Sequence, residues 1–87
     1  MNSDLIKIKV LYFGEAADIA QQREADYELL PDTSAETAFE NILTDHPALR
    51  ARFNRSLLFA VNLEYVDGSR IIEDGDELAI FPPVSGG

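Results

Sequence analysis

The best-determined element of this chain lies at residues 33–46, and it restricts what the remainder can do. Thr33-Ser34-Ala35-Glu36 has the spacing of a capping box, in which the Thr33 hydroxyl bonds the Glu36 N–H and the Glu36 carboxylate reaches back. Behind it Ala35, Ala38, Phe39, Ile42 and Leu43 fall on one apolar stripe of a helix. Pro47 disfavours helical geometry in the residue before it, so the helix stops near Asp45-His46. One such helix cannot form a bundle alone. Its stripe must lie against a surface built from segments that read mostly as strands.

Leu5 to Phe13 alternates, with Ile6, Ile8, Val10 and Tyr12 on one side and Leu5, Lys7, Lys9 and Leu11 on the other. Gly14 breaks the run, and residues 15–22 are rich enough in helix formers for two turns. Ala25 to Leu30 forms a second strand that ends at Pro31-Asp32. Residues 48–53 make a short helical turn, and Asn54-Arg55 a loop. Leu57 to Leu63 is apolar almost throughout, the pattern of a strand buried on both sides. Asp67-Gly68 and Glu73-Asp74-Gly75-Asp76 are turns around a short extended piece, Ser69 to Ile72. Glu77 to Phe81 is the last strand, with Leu78 and Ile80 on one face and Ala79 and Phe81 on the other. The order β, short α, β, α, β, short β, β predicts an α+β domain in which one main helix covers a mixed sheet. That domain spans residues 1–81, and residues 82–87 form a protruding tail.

Composition excludes more than it identifies. With 16 acidic against 7 basic residues the net charge is −9, which repels nucleic acid and favours protein partners with basic faces. There is no cysteine, hence no disulfide, thiolate metal site or thiol nucleophile. The polar start Met1-Asn2-Ser3-Asp4 and the absence of a long apolar run predict a cytoplasmic protein with no membrane partner. His46 is the sole histidine and sits at a helix end, where capping or solvent exposure explains it better than a metal site. Lys7 and Lys9 read as surface charges. The run Glu73 to Glu77 lacks the spacing of a calcium loop and reads as a solvated turn, so no metal site is expected. Neither a phosphate-cradling glycine loop nor a Gly-x-Ser-x-Gly elbow is present. A free-standing enzyme would need parts this chain lacks.

What remains is the ending Phe81-Pro82-Pro83-Val84-Ser85-Gly86-Gly87. The prolines deny it a helix and ladder hydrogen bonds, and the glycines leave it slim and conformationally free. Six residues reach roughly 20 Å at ~3.3 Å each. Two readings stay open on these grounds: a stiff root carrying a thin probe with a carboxylate at its tip, or a frayed terminus. The carboxylate becomes a useful electrophile only as a mixed anhydride, for instance with AMP, and a glycyl carbonyl hinders that chemistry least.

The residues leading into the tail carry a resemblance. Asp74-Gly75-Asp76-Glu77 followed by Ile80-Phe81-Pro82-Pro83-Val84-Ser85-Gly86-Gly87 resembles the small subunits of molybdopterin synthase, the MoaD-like sulfur carriers. Val10-Leu11-Tyr12-Phe13, His46-Pro47 and Ala60-Val61-Asn62 agree, so the likeness covers essentially the whole chain. It implies a β-grasp, ubiquitin-like fold. It also implies a cycle in which a ubiquitin-activating-like adenylyltransferase, using ATP and magnesium, converts the Gly87 carboxylate to an acyl-adenylate. A sulfur donor protein then makes the thiocarboxylate, and no cofactor stays bound. The carrier docks on the large synthase subunit, threads Pro82, Pro83, Val84, Ser85 and Gly86 into its site, and delivers sulfur from Gly87 to cyclic pyranopterin monophosphate. Family members assemble as heterotetramers. Docking surfaces in the family are largely apolar, which points here to Phe81 and Tyr65, with Phe13 mostly in the core. Thiazole-pathway carriers and protein modifiers share the Gly-Gly end without the Phe-Pro-Pro-Val-Ser context. A ubiquitin-like interaction module with an inert tail is the reading from a different class.

Overall fold

The computed structural model describes residues 4–54 and 56–83. Strand β1 (Ile6–Tyr12) is the strand around which the sheet assembles. Ile8, Val10 and Tyr12 are buried, while Lys7 and Lys9 lie on the opposite face, as the alternation predicts. Helix α1 (Glu15–Ala20) follows, and Gln21 in a left-handed conformation (φ 61°) ends it two residues before the expected limit. Strand β2 (Glu24–Leu29) returns antiparallel to β1, with Ile8 opposite Tyr27 and Val10 opposite Ala25. Helices α2 (Ala35–Asp45) and α3 (Pro47–Phe53) then precede strands β3 (Leu58–Val61) and β4 (Glu77–Phe81). Pro47 opens α3, where its missing N–H costs nothing.

The sheet order is β2-β1-β4-β3, with β4 parallel to β1 and the other pairs antiparallel. This is the β-grasp arrangement. Helix α2 covers one face, and its Ala35, Ala38, Phe39, Ile42 and Leu43 are all buried. Val10, Ile42, Leu49, Val61, Ile72, Leu78 and Ile80 lose essentially all solvent contact in this layer. Each such side chain contributes roughly 1.5–3 kcal/mol relative to exposure. Tertiary packing, more than helix propensity, therefore holds the helices in place.

Four local readings change. The N-cap of α2 is Ser34, whose hydroxyl oxygen accepts from the Thr37 N–H at 3.2 Å. Thr33 is drawn out of the cap because Ser34 bridges Ile71 and the Thr33 carbonyl accepts the Ile72 N–H at 2.9 Å. The first free N–H groups of α2 go to that same loop: Ala35 to the Arg70 carbonyl at 2.7 Å, Glu36 to the Gly68 carbonyl at 2.9 Å. The extended piece at residues 69–72 is accordingly one bridge rather than a strand.

Strand β3 is at the sheet edge and is not buried on both sides. Phe59 and Val61 face α2, with the Phe59 ring 4.8 Å from that of Phe39, whereas Leu58 is exposed on the other face. The Glu73–Glu77 turn is also not simply solvated. Asp76 is only 7% exposed; its carboxylate accepts the Glu73 N–H at 2.8 Å and the Asn62 amide at 3.0 Å. Asp74 accepts the Lys7 N–H, and the Gly75 N–H (φ 88°) bonds the Lys7 carbonyl, both at 2.8 Å. Acidic residues close together in sequence suggest water; here Asp74 and Asp76 accept from backbone N–H groups and, for Asp76, from the Asn62 side chain as well.

Candidate functional site

The described part of the tail leaves β4 at Pro82 and Pro83; the residues expected to insert, Val84, Ser85 and Gly86, and the one expected to react, Gly87, lie outside the described residues. The root is firmly placed. The Phe13 N–H donates to the Ile80 carbonyl at 3.0 Å, so β1 stays paired to β4 up to the exit. Gly14 (φ 58°) then turns the chain away, and Pro82 Cγ sits 3.5 Å from where a Gly14 Cβ would stand. The half-buried Pro82 rests on that turn, and Pro83 faces solvent.

Beneath the exit lies a polar cluster. His46 is half-buried rather than solvated; its Nε2 lies 3.1 Å from the Tyr12 hydroxyl, with the two rings edge to face. Its backbone N–H, not its side chain, caps the end of α2. Burial first, and then the Asp45 charge, push the Tyr12 hydroxyl up to about 12. The Tyr27 hydroxyl donates to Asp45 at 2.6 Å, and burial together with that bond also raises it. Both phenols are thus neutral at ordinary pH. Elsewhere, two hydrogen bonds from Ser69 hold the exposed Asp67 carboxyl below its usual range.

The face of the sheet opposite α2 is divided. Toward β2 it carries Glu24, Asp26 and Glu28 beside Lys7 and Lys9, with Lys9 3.5 Å from Glu24. Toward β3 it is apolar: Phe13, Ala60, Leu63, Tyr65, Ala79 and Phe81 line an open groove of about 290 Å³. Phe81 and Tyr65, singled out from the sequence, come together edge to face at 5.9 Å. Tyr65 is 74% exposed and Phe81 half-buried. Phe13 is not in the core but 47% exposed, because its parity places it on the side of Lys9 and Leu11 rather than of Tyr12. Leu63, which sequence reasoning passed over as the end of a strand, is 79% exposed. The overlooked signal was Asn62, a residue tolerant of left-handed backbone that interrupts the apolar run.

The arrangement couples two features through one strand. Phe81 belongs to the apolar face, and the next residue begins the tail. A partner seated on this face would hold the tail root in a fixed position.

Comparison with known proteins bears on the family and the fold. Residues 10–87 match the ThiS family. A molybdopterin synthase sulfur carrier subunit from Chlamydomonas reinhardtii is 39% identical over 84 residues, covering 94% of this chain and 100% of the relative. The crystal structure of SAMP1 from Haloferax volcanii superposes with a TM-score of 0.80 at 28% identity, covering 93% of this chain and 99% of that one. A chain in the complex of subunits 1 and 2 of molybdopterin-converting factor from Helicobacter pylori shares the fold, with a TM-score of 0.64 at 22% identity over 94% of this chain and 100% of that one. This chain belongs to the ThiS family, with molybdopterin synthase sulfur carrier subunits among its relatives.

Proposed function

We propose that this protein is the sulfur-carrying small subunit of a molybdopterin synthase and that its sulfur rides on Gly87 as a thiocarboxylate. The observation that carries the reading is the continuity of β4, which runs from an apolar face directly into a Pro-Pro tail ending in Gly-Gly. The family and the sulfur-carrier relatives support it. A chain without cysteine can still carry sulfur if the sulfur replaces an oxygen of its terminal carboxylate.

In this cycle the Gly87 carboxylate attacks the α-phosphate of magnesium-bound ATP on an adenylyltransferase, releasing pyrophosphate and leaving an acyl-adenylate. A sulfur donor protein supplies sulfide-level sulfur to the acyl carbon, and AMP departs with the electron pair of the broken C–O bond. The loaded carrier docks on the large synthase subunit through Phe81 and Tyr65, and the tail enters that subunit's site. Sulfur passes to cyclic pyranopterin monophosphate, and hydrolysis of the acyl group regenerates the carboxylate. Each load delivers one sulfur, so a dithiolene requires two transfers, and the proposed assembly is a heterotetramer of two small and two large subunits. The chemistry belongs to the cytoplasm, where ATP and the donor are available.

The test is intact mass spectrometry after incubation with the adenylyltransferase, ATP, magnesium and a sulfur donor, followed by addition of the large subunit and pterin precursor. The expected result is replacement of one oxygen by sulfur on the last peptide, and then molybdopterin. A chain lacking Gly86 and Gly87 should fold normally and deliver nothing. An unchanged mass, with an enzyme that charges another carrier, would sink the thiocarboxylate. Isopeptide adducts on lysines of other proteins would indicate a protein modifier instead.

A further inference from the structure

The turn after β3 holds an apolar side chain in an unfavourable place. Leu63 has φ 68°, a left-handed conformation that residues other than glycine, asparagine and aspartate seldom adopt, and it stands 79% exposed. Asn62 before it is also left-handed (φ 52°), so both central residues have the positive φ that a tight two-residue hairpin turn requires. Strain together with exposure needs support from neighbours, and the support is visible.

The turn is closed by Val61 N–H to the Glu64 carbonyl at 2.9 Å and Glu64 N–H to the Val61 carbonyl at 3.0 Å. Asn62 then fastens it to β4: its N–H donates to the Glu77 carbonyl at 2.8 Å, its side-chain oxygen accepts the Glu77 N–H at 2.9 Å, and its amide donates to Asp76 at 3.0 Å. The buried Asp76 is held in turn by the Glu73 N–H. The result places Leu63 in the lining of the groove shared with Phe13, Tyr65 and Phe81. Glu64, the next residue, is exposed and enters no ion pair among the described residues, in a chain of net charge −9.

We propose that Leu63 is a specificity-determining contact of the docking face, and that Asn62 and Asp76 are positioning residues that hold it in its left-handed pose. This rests on the reading that the face receives the large synthase subunit. The partner surface would be an apolar socket for Leu63 bordered by basic side chains that meet Glu64, so burial supplies affinity and the charges set orientation.

The test exploits opposite effects on folding and binding. Glycine fits φ 68° without strain, so Leu63→Gly should leave Tm unchanged or raise it while weakening calorimetric binding to the large subunit by about tenfold. Leu63→Lys should weaken binding further, and more at low salt, because it meets basic groups. Asn62→Gly keeps the turn's backbone but removes the amide lock, so it should lower affinity and Tm together. Phe81→Ala serves as the reference. If Phe81→Ala weakens binding and Leu63→Gly binds like the parent, this inference is wrong while the docking reading stands. A Leu63→Gly protein that loses stability in step with affinity makes Leu63 structural and also overturns it. Unaltered affinity in Asn62→Gly removes the positioning role. A parent protein that does not bind the large subunit overturns the docking reading and this inference together.

Discussion

Asp76→Asn isolates the energetic worth of the buried turn. The substitution preserves shape but replaces two acceptor oxygens by one oxygen and one NH2 group. Both close neighbours are donors, the Glu73 N–H at 2.8 Å and the Asn62 amide at 3.0 Å, with Arg70 3.8 Å away. Whichever way the new amide turns, a donor meets a donor. One charge-assisted bond worth about 1.5–3 kcal/mol is lost, and the stranded group adds its own desolvation cost of about 1–3 kcal/mol. Some of that cost is relieved because Glu73 is exposed and its N–H can turn toward water, so a net loss of about 3 kcal/mol is expected. For a domain of this size 1 kcal/mol moves Tm by about 4–8 °C, so Tm should fall by about 12–24 °C. Circular dichroism melts and urea titrations at neutral pH give both quantities. Asp74→Asn is the control: its single acceptor role toward the Lys7 N–H survives in the amide oxygen, and the site is exposed, so the change should stay within about 0.5 kcal/mol. If Asp76→Asn melts within about 3 °C of the parent, the carboxylate contributes no net stability and the turn is held by its backbone alone.

Two further substitutions check the local readings. Ser34→Ala removes the hydroxyl that accepts the Thr37 N–H and should cost about 1 kcal/mol. Thr33→Ala, which loses only an exposed bond to the Leu30 carbonyl, should cost less, and the reverse order in urea titrations would return the cap to Thr33. Tyr12 should make the fold sensitive to base. Its folded value of about 12 stands above the unfolded value of 10.0, so its contribution is intact below pH 10. From there the unfolded chain ionises first, and stability falls as pH rises toward 12. Tyr12→Phe should show a shallower decline across that window, and an identical slope would remove Tyr12 as the cause.

Much of the fold was legible because it depends on periodicity. The stripe of Ala35, Ala38, Phe39, Ile42 and Leu43 and the alternation of Ile8, Val10 and Tyr12 specify one face each, and the structure buries those faces. The misreadings arose where a distant segment supplied the partner. Thr33 lost the cap to Ser34 because the loop at residues 68–72 claims its backbone, a contact no local pattern announces. Asp76 looks solvated in the sequence because the amide that satisfies it belongs to Asn62, fourteen residues earlier. Leu57 to Leu63 suggests burial on both sides because an apolar run does not distinguish a face covered by its own chain from one left open. The same ambiguity concealed Leu63. The sequence singles out Phe81 and Tyr65, and the structure brings them into one groove, but only the folded turn shows that Leu63 shares it.

The openness of that second face is what makes the tail useful in the proposed cycle. Six residues span at most roughly 20 Å, and ordering a segment of that length in a narrow site carries a substantial entropic cost. In this fold the root is already fixed against Gly14, and Phe81 is both the last residue of β4 and part of the apolar groove. Docking at the groove therefore turns tail entry into an intramolecular step, whose effective concentration is set by the tail's length. Lengthening the tail between Pro83 and Val84 should leave affinity for the large subunit nearly unchanged while reducing sulfur transfer. Calorimetry paired with single-turnover product formation separates the two effects. Transfer unaffected by an insertion of several glycines would mean that the groove does not aim the tail.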